Sequence, residues 1–428
     1  MSNKILIKNG YVIDIKNNIE GIYNIFIDNG IIVDINKNID IKDKDITIIN
    51  ASNLFVIPGL VDTHCHLRDP GFLYKEDIKS GSKAAARGGF TSIACMPNTS
   101  PVVDNEETID YVINKAREEA FVNVFPIGAI TEGQAGKQLT NFQMMKNKGI
   151  VALSDDGYPV SNSIIMSEAL KKAKDLNIKI ISHTEDLSLS KDGVMNEGAI
   201  SKKLSLKGIP STAESTIVAR DILLAEYHNA PIHIAHVSSK ESVDIIRNAK
   251  KRDIKVTAET CPHYFSLTDK ECLKNTMAKV NPPLKTKEDV KAIIKGLTDG
   301  TIDNIATDHA PHHLNEKSGN FNTSLNGISG FETALSVAIT SLVKENILTM
   351  KDLVYKMAYK PACILGIDKG YLEKGKKADI AIVNINEEYI VDSSKFYSKG
   401  KNTPYDKSKL WGKVKYTIAN GKIVYEDK

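Results

Sequence analysis

Eight short apolar runs, each followed by a segment of helical spacing, divide the chain between about residue 57 and about residue 367. The runs cover residues 55–61, 91–95, 122–127, 150–153, 178–181, 232–235, 255–258 and 304–306. Strands that alternate with helices form parallel βα units, and eight such units predict an α/β fold built as a (β/α)8, or TIM-like, barrel. An open doubly wound sheet is the alternative, but no Gly-x-Gly-x-x-Gly motif follows the first run.

Both chain ends carry a different signal, Asn-Gly pairs between short runs of β character. The pairs are Asn9-Gly10, Asn29-Gly30 and Asn420-Gly421. Both central positions of a type I′ turn need positive φ, so these pairs predict three β-hairpins. Because both ends show this pattern of short β runs joined by Asn-Gly, we predict that residues 1–57 and 368–428 form one small β-sandwich domain. The barrel then occupies residues 58–367.

Charge and cysteine content narrow the class of protein. Among 428 residues, Lys and Arg total 56 and Asp and Glu total 53, which leaves a net charge of +3. So small a surplus gives no reason to expect a nucleic-acid or membrane partner. We find no apolar run long enough to cross a bilayer and no secretory signal peptide. The five cysteines have no regular spacing, so no disulfide framework is expected and the predicted location is the cytoplasm.

The histidine pair after the first run is the first candidate for chemistry. His64 and His66 stand two positions apart, and residues i and i+2 of a strand point to the same face. Two imidazoles presented side by side suit a divalent first-row metal ion. Such pairs also occur by chance in many chains, so this pair alone favours two structural histidines.

Further histidines and carboxylates follow the later runs. Asp155 and Asp156 end the fourth run, His183 the fifth, His236 the sixth and Asp308 the eighth. Eight of the ten histidines lie in or just after the predicted strands, namely His64, His66, His183, His233, His236, His263, His309 and His312. The carboxyl ends of barrel strands converge on the mouth where active sites lie, so the joint pattern predicts a site there. Asp155 and Asp156 alternate faces, and only one of them can point into the mouth.

Other nearby donors are expected to be structural. His233 lies inside an apolar run and is expected to pack or to face outward, and His263 is expected to be structural or to support a ligand. Cys65 points away from the two histidines beside it, while Cys95 and Cys261 are expected to pack as small hydrophobes. No Cys-x-x-Cys occurs, which argues against a zinc finger.

Seven stretches, spread over nearly the whole chain, resemble a known family. They are Pro58-Gly59-Leu60-Val61-Asp62-x-His64-x-His66-x-Arg68, Met96-Pro97-Asn98-Thr99, Ser154-Asp155-Asp156-Gly157, His183-x-Glu185-Asp186, His236-Val237-Ser238, Asn304-x-Ala306-Thr307-Asp308-His309-Ala310-Pro311-His312 and Gly375-Lys376-Lys377-Ala378-Asp379. Together they resemble the dihydroorotases of the amidohydrolase superfamily, in the longer, bacterial type I form. The resemblance implies a zinc-dependent enzyme that interconverts N-carbamoyl-L-aspartate and (S)-dihydroorotate in pyrimidine biosynthesis.

The resemblance also implies a centre of two zinc ions. His64, His66 and Asp308 would hold one ion, and His183 and His236 the other. Many relatives bridge the ions with a carboxylated lysine, but no lysine stands in Ser154-Asp155-Asp156-Gly157. The region resembles a subgroup that uses an aspartate bridge, and the 27-residue spacing to His183 that fits this subgroup places the bridge at Asp156, with Asp155 as the second choice. The missing lysine argues against the hydantoinase and dihydropyrimidinase branch.

The family's other roles carry over to matching positions. Asp308 would serve as ligand and general base. Because substrate and product carry carboxylates, a cation is needed, and the planar fork of Arg68 suits a carboxylate. The further substrate contacts implied by the family are His66, Asn98, Asn281, His312 and the pair Asn326-Gly327. The polar segment 313–326 is expected to act as a lid.

Two other functions compete with this reading. Another cyclic amidohydrolase, such as an allantoinase or a hydantoinase, would share the fold and the histidines. A second alternative is an inactive scaffold for aspartate transcarbamoylase, although all ligand positions are filled here. An active enzyme could also associate with that partner. A homodimer is expected by analogy with relatives.

Overall fold

The computed structural model describes residues 4–39, 41 and 45–427. The strands are β1 Lys4–Asp14, β2 Ile19–Asp28, β3 Ile31–Asn36, β4 Thr47–Asn50, β5 Phe55–Pro58, β6 Leu60–Cys65, β7 Phe90–Cys95, β8 Asn123–Pro126, β9 Ala152–Leu153, β10 Lys179–Ser182, β11 Met195–Asn196, β12 Gly208–Ile209, β13 Ile232–Ile234, β14 Val256–Thr260, β15 Asn304–Ile305, β16 Ile380–Ile390, β17 Lys409–Ala419 and β18 Lys422–Glu426. The helices are α1 Ile78–Arg87, α2 Glu106–Glu119, α3 Phe142–Lys148, α4 Ser163–Asp175, α5 Leu187–Ser190, α6 Ala199–Leu204, α7 Thr212–His228, α8 Lys240–Lys251, α9 Pro262–Ser266, α10 Lys287–Thr298, α11 Leu314–Lys317, α12 Ala334–Ala338, α13 Met350–Val354 and α14 Lys360–Leu365. Within the described ranges, no helix has both the length and the apolar character needed to cross a bilayer.

Two parallel sheets occupy the middle of the chain and alternate with helices in an α/β fold. One sheet has the order β6-β7-β8, and the other has the order β15-β14-β13-β10-β9. Isolated parallel bridges join Cys65 to His309 and Gly128 to Leu153, which links the edges of the two sheets. Small and branched side chains pack between the strands in one buried cluster, which includes Val61, Ala94, Ile127, Ala152, Ile181 and Ala235.

Each predicted apolar run contains or overlaps a strand of the structure. The first run, residues 55–61, is the one that divides, because β5 ends at Pro58 and β6 begins at Leu60. Gly59 separates them, and a Cβ there would lie 2.1 Å from Thr91 Oγ1, so the chain crosses between sheets where only glycine fits. The single predicted strand is therefore wrong at this point, since its first half belongs to the terminal sheet.

Local signals in the sequence explain where the covering helices begin. At α1, Asp77 Oδ1 accepts a hydrogen bond from Ser80 N at 2.6 Å, and the Ser80 side chain reaches back to the backbone of Asp77. This capping box satisfies amide groups that a helix start otherwise leaves unpaired. The buried face of the helix, which includes Ile78 and Ala85, packs onto the core. The loop after β6 is thereby anchored beside the strand end that carries the histidine pair.

Both chain ends meet in one eight-stranded sheet. Its order is β18-β17-β16-β5-β1-β2-β3, and β4 pairs with β1. β5 pairs in parallel with β1 and antiparallel with β16, so it joins N-terminal and C-terminal strands directly. The turns Asn29-Gly30 and Asn420-Gly421 have positive φ at both residues, which confirms two of the three predicted hairpins.

The third predicted hairpin, at Asn9-Gly10, is wrong. β1 runs through both residues, and its register against β2 shifts between Ile7 and Gly10. Asn9 has a φ of 60°, whereas a Cβ on Gly10 would lie 2.3 Å from Val56 Cγ2. The pair therefore makes a bulge inside a single strand, and glycine is required by the close approach of β5.

Candidate metal centre

The carboxyl ends of the parallel strands bring six predicted ligands together. His64 lies in β6 and His66 just after it, and the rest follow later strands: Asp156 after β9, His183 after β10, His236 after β13 and Asp308 after β15. We call these six residues the cluster. All six side chains are buried. Residues far apart in the sequence therefore meet at one end of the sheets, as the strand-end pattern predicts.

Asp156 lies at the centre of the cluster. Its Oδ1 lies 3.3 Å from His64 Nε2, 3.2 Å from His183 Nδ1 and 3.6 Å from His236 Nε2. Its Oδ2 lies 3.5 Å from His66 Nε2. One carboxylate thus touches both predicted histidine pairs, which is the geometry expected of a residue that bridges two ions.

Asp308 faces the first histidine pair, and the second pair lies beside it. Asp308 Oδ1 lies 3.2 Å from His66 Nε2 and 3.7 Å from His64 Nε2. The rings of His64 and His66 have centroids 5.4 Å apart. In the second pair, His236 Nε2 lies 2.8 Å from His183 Nδ1. The two pairs therefore form two neighbouring sets of donors.

Hydrogen bonds on the outer side of the rings fix which nitrogen faces the cluster. His64 Nδ1 donates to Glu259 Oε1 at 2.9 Å, and His66 Nδ1 donates to Asn98 Oδ1 at 2.9 Å. His183 Nε2 lies 3.2 Å from Glu185 Oε2, to which it donates. In each case the other ring nitrogen faces the cluster, where it can bind a metal ion once it has lost its proton. Such partners orient the ligating histidines of metal sites.

Charge within the cluster is unbalanced without a cation. Burial favours the neutral ring of His64, but Asp156 raises the pKa of His64 well above its usual value. Burial also opposes charge on His183, yet its contacts with Asp156 and Glu185 raise the pKa of His183 to about 10. Although burial acts to raise the pKa of Asp156, the imidazoles around it hold that pKa well below its usual range. The carboxylates therefore demand positive charge, which protons or a divalent ion can supply.

The donor set fits divalent metal ions. His64 Nε2 is buried and, within the described part of the chain, has no hydrogen-bond partner. Two groups of residues each have donor atoms that lie within 4.8 Å of one another. One group is His64, His66 and Asp308, and the other is His64, Asp156 and His236. Imidazole nitrogens and carboxylate oxygens are ligands that zinc accepts. An unpaired buried nitrogen aimed at two carboxylates is well explained by a metal ion between them.

The structure separates the two adjacent aspartates. Asp155 Oδ1 accepts hydrogen bonds from Ile130 N at 2.8 Å and Thr131 N at 3.1 Å, so its carboxylate holds the loop after β8. Of these two adjacent aspartates, only Asp156 faces the histidines. This placement agrees with the choice of Asp156, and it leaves Asp155 as a structural residue.

The loops that present the cluster hold unusual backbone conformations. Arg68, His236 and Asp308 have φ values of 60°, 35° and 45°. Left-handed conformations cost energy for residues other than glycine and are found at functional sites. At Asp308, Asp62 anchors the preceding residue, because its carboxylate accepts from Thr307 N at 2.9 Å and from Thr307 Oγ1 at 2.6 Å. β6 and the loop after β15 are thus tied together beside the cluster.

A cavity of about 310 Å³ opens above the cluster. Its lining includes every predicted substrate contact, namely His66, Arg68, Asn98, Asn281, His312, Asn326 and Gly327. Arg68 Nε donates to Pro311 O at 3.3 Å, and Arg68 lies 3.4 Å from His312 Nε2. Burial and the charges of Arg68 and Lys75 lower the pKa of His312 to about 2, so this ring is neutral. The cavity therefore places a guanidinium and a neutral imidazole side by side.

Two further loops line the cavity, one with Asn281 and one with Asn326 and Gly327. Asn281 Nδ2 donates to Glu185 Oε2 at 2.9 Å, and the carbonyl of Asn326 accepts from His312 Nε2 at 2.8 Å. A Cβ at Gly327, whose φ is 147°, would lie 2.5 Å from Ala310 O. The pair Asn326-Gly327 thus lines the cavity, and glycine is needed at its second position.

Several residues around the cluster are not identified by the sequence patterns. Glu259, at the end of β14, contacts His64 and also lies 3.1 Å from His233 Nε2. The sequence offered one indication of this role, the position of Glu259 just after the apolar run 255–258. A single carboxylate in such a place matches no recognised motif. His233 is buried as expected. Donor atoms of Cys261, His263 and Asp308 also lie within 4.8 Å of one another, although Cys261 was expected only to pack.

Comparison with known proteins identifies close relatives along the whole chain. The family model described as "Dihydro-orotase-like" matches residues 53–242. A dihydroorotase of Acetivibrio thermocellus is 57% identical over 424 residues, covering 99% of this chain and 99% of the relative. A dihydroorotase of Ruminiclostridium cellulolyticum is 54% identical over 426 residues, again with 99% of both chains covered.

Solved structures of similar fold are more distant in sequence. The L-hydantoinase (dihydropyrimidinase) from Arthrobacter aurescens has a TM-score of 0.87 at 24% identity, and the match covers 99% of this chain and 96% of that one. The dihydropyrimidinase from Brevibacillus agri has a TM-score of 0.85 at 22% identity, with coverages of 99% and 95%. At this identity the likeness concerns the fold.

Proposed function

Because this chain belongs to the dihydroorotase family, we propose that it catalyses the reversible cyclisation of N-carbamoyl-L-aspartate to (S)-dihydroorotate. The reaction makes and breaks one cyclic amide bond. The observation that carries the proposal is a cavity that joins two features. The histidine–carboxylate cluster forms its floor, and Arg68 and His312 form one wall. A hydrolytic centre beside an anion-binding wall suits a cyclic amide that bears a carboxylate.

Two zinc ions per chain are the cofactors that we propose. His64, His66 and Asp308 would hold one ion, His183 and His236 the other, and Asp156 would contact both. Bound divalent ions lower the pKa of water and polarise a carbonyl group, which is the chemistry that hydrolysis of an amide requires. Three features of the cluster support this proposal: the types of its donor atoms, the unpaired nitrogen of His64 and the charge of its carboxylates.

Asp308 is the proposed general base. Its carboxylate borders the cavity and lies in the cluster, within hydrogen-bond reach of atoms bound there. Although burial acts to raise the pKa of Asp308, the imidazoles of His66 and His64 lower it, so the group is ionised and ready to accept a proton. In hydrolysis Asp308 would take the proton of the attacking water and deliver it to the leaving nitrogen. In ring closure the transfers run in reverse.

The wall of the cavity would orient the substrate. The Arg68 guanidinium can pair with both oxygens of the ring carboxylate, while neutral His312 donates or accepts without adding charge. Asn98 and Asn281 would supply amide groups to the ring, and the backbone of Asn326-Gly327 would supply further donors and acceptors. These contacts distinguish a carboxylate-bearing ring from the neutral rings of hydantoin.

Some larger-scale features also belong to this proposal. We infer that the two parallel sheets close into one (β/α)8 barrel, since the bridges Cys65–His309 and Gly128–Leu153 lie between their edges. The barrel would comprise residues 58–367, and a β-sandwich domain would comprise residues 1–57 and 368–428. A homodimer, a cytoplasmic location and association with aspartate transcarbamoylase remain predictions.

An assay of zinc-loaded protein tests the function. Dihydroorotate and carbamoyl aspartate are supplied in parallel with hydantoin and allantoin, and product formation is followed for each. We expect turnover of the first two compounds and at most slow turnover of the others. Turnover of hydantoin or allantoin without dihydroorotate would assign a different cyclic amide as substrate. No turnover of any compound by protein with filled metal sites would favour the scaffold alternative.

A further inference from the structure

We propose that Asn402, which lies outside the cavity, is the positioning residue that sets the shape of the carboxylate-binding wall. This inference rests on the proposed function, because it concerns how that substrate is recognised. Asn402 belongs to the C-terminal segment, 92 residues beyond Ala310. No sequence pattern connects it with the active site.

The side chain of Asn402 uses all four of its hydrogen-bonding positions. Oδ1 accepts from His312 N at 2.9 Å and from Ser329 Oγ at 2.8 Å. Nδ2 donates to Ala310 O at 3.1 Å and to Gly327 O at 2.9 Å. The residue is fully buried. A primary amide has two acceptor and two donor positions, so no other side chain of this size satisfies the same partners.

The partners of Asn402 belong to two neighbouring chain segments of the wall, residues 310–312 and residues 327–329. Ala310, His312 and Gly327 line the cavity, whereas Asn402 does not. The segments lie close, since Ala310 N donates to Ile328 O at 2.9 Å. One amide therefore holds the segment that presents His312 against the loop that presents Gly327. Its loss would remove the four hydrogen bonds through which the amide connects the two segments, so the segments could shift relative to each other.

The segment around Asn402 is itself fastened beside the active site. Ser398 donates its hydroxyl proton to Glu76, and Lys399 N donates to Glu76 Oε1 at 3.2 Å. Glu76 also lies 3.3 Å from Nε2 of His309, the residue after Asp308. A Cβ at Gly400 would lie 2.5 Å from Pro311 Cβ, so the segment packs tightly against the wall. The C-terminal segment thus forms a strap, residues 398–402, across the outside of the wall.

Charge explains why an amide rather than an acid suits this position. In Asn402→Asp, one carboxylate oxygen would replace Nδ2 and face the carbonyl oxygens of Ala310 and Gly327. Two acceptors would then meet without a proton between them, in a buried place where unpaired groups are costly. The wall would move, and with it the position of His312. The hydrogen bonds of the Asn402 side chain go to residues outside the cluster, so the cluster is expected to keep its geometry.

Three variants test the inference: Asn402→Asp, Asn402→Ala and Ser329→Ala. The third is a matched control, because it removes one hydrogen bond of Asn402 but leaves those to Ala310, His312 and Gly327. Each variant is loaded with zinc, its metal content is measured, and kcat and KM for dihydroorotate are determined well below the unfolding temperature. The KM of Asn402→Asp is also measured at falling pH, relative to the wild type at the same pH.

We expect KM to rise about tenfold to a hundredfold in Asn402→Asp and Asn402→Ala, because displaced positioning groups have effects of this size. Metal content is expected to match the wild type, and kcat to change less than KM. The KM ratio of Asn402→Asp should shrink at lower pH, since a protonated acid regains one donor. Ser329→Ala should keep the wild-type KM within about twofold, as one of four bonds to the amide is lost.

The results separate this inference from the proposed function. If wild-type protein does not convert dihydroorotate, the proposed function fails. If the wild type is active and both Asn402 variants keep its KM, the positioning role is refuted. Loss of folded protein in both variants would also refute it, because Asn402 would then support the whole fold rather than the wall. An equal rise of KM in Ser329→Ala would show that the amide contacts are not specific.

Discussion

Glu259 shows how a single buried residue can organise the cluster. It accepts from His64 Nδ1, lies beside His233 Nε2 and also accepts from the hydroxyl of Thr63. Burial alone would raise the pKa of Glu259, yet His233 and His64 hold that pKa well below its usual range. The ionised carboxylate therefore keeps the proton of His64 on Nδ1. Because of this, Nε2 is free to bind a metal ion.

Replacement of Glu259 by Gln should weaken metal binding. The amide keeps the shape but removes the charge that fixes the His64 ring, and we expect zinc affinity to fall about 10- to 100-fold. Competition with a chelator of known affinity measures the change. Glu288→Gln, on the exposed side of α10, is the control and should bind zinc like the wild type. Unchanged affinity in Glu259→Gln would remove this residue from the support of the cluster.

Arg68 is the residue that we propose to recognise the carboxylate of the substrate. Arg68→Lys keeps a positive charge but loses the planar fork, so we expect KM for dihydroorotate to rise about 10- to 100-fold while kcat falls less. Steady-state kinetics at saturating zinc provide the measurement. The exposed Arg117 supplies the control Arg117→Lys, which should leave both constants unchanged. A wild-type KM in Arg68→Lys would mean that the carboxylate binds elsewhere.

At the scale of elements, buried lysines hold the predicted lid. Lys317, at the end of α11, is fully buried and donates to Lys279 O at 2.8 Å, Leu325 O at 2.9 Å and Gly327 O at 3.1 Å. Lys279 Nζ in turn donates to Ser324 O at 2.7 Å. Three carbonyl groups around one ammonium match its three donors. The polar segment that the sequence marks as a lid is therefore fastened to the cavity wall.

Removal of the ammonium should loosen this segment. Lys317→Met keeps the length of the side chain but leaves three carbonyl groups without their donor, and we expect the free energy of unfolding to fall by about 2–4 kcal/mol. Chemical denaturation measures the loss, and KM should rise because Gly327 moves. Lys171→Met, at an exposed position of α4, is the control. If Lys317→Met matched the wild type in stability and KM, the lysine would have no such role.

Turns show where sequence patterns suffice at this scale. Asn29-Gly30 and Asn420-Gly421 each join two strands that pair antiparallel directly across the turn, and both form the predicted turns. Asn9-Gly10 has the same local signal, but the neighbouring β5 pairs with the residues that follow it. Tertiary pairing therefore turned a hairpin signal into a bulge. The strands themselves, set by longer apolar runs, were predicted within a few residues.

At the scale of the whole molecule, the site could be predicted where residues follow strand ends. His66, His183, His236 and Asp308 obey that rule because parallel strands place their carboxyl ends together. The alternation of faces along a strand left Asp155 and Asp156 open, and the family resemblance favoured Asp156; the hydrogen bonds by which Asp155 holds the loop after β8 appear only in the folded chain. The sequence did not identify Glu259 and Asn402, because each acts through contacts that are made only in the folded chain.

The joining of the two chain ends leads to a prediction about truncation. β16, β17 and β18 complete the terminal sheet, and the strap that holds the cavity wall lies between β16 and β17. Removal of residues 379–428 would expose the edge of β5 and delete Asn402. We expect little folded protein and no turnover, as judged by circular dichroism and the dihydroorotate assay. A folded, active truncated chain would show that the terminal sheet is dispensable.

The most direct test of the central claim is a zinc titration of metal-free protein, with dihydroorotate turnover measured at each addition. If the cluster holds two ions that enable the chemistry, chelator-treated protein is inactive and activity rises to a plateau at two equivalents of zinc. Asp308→Asn should bind zinc yet turn over about 100- to 10,000-fold more slowly. Full activity of metal-free protein, or full activity of Asp308→Asn, would contradict the account.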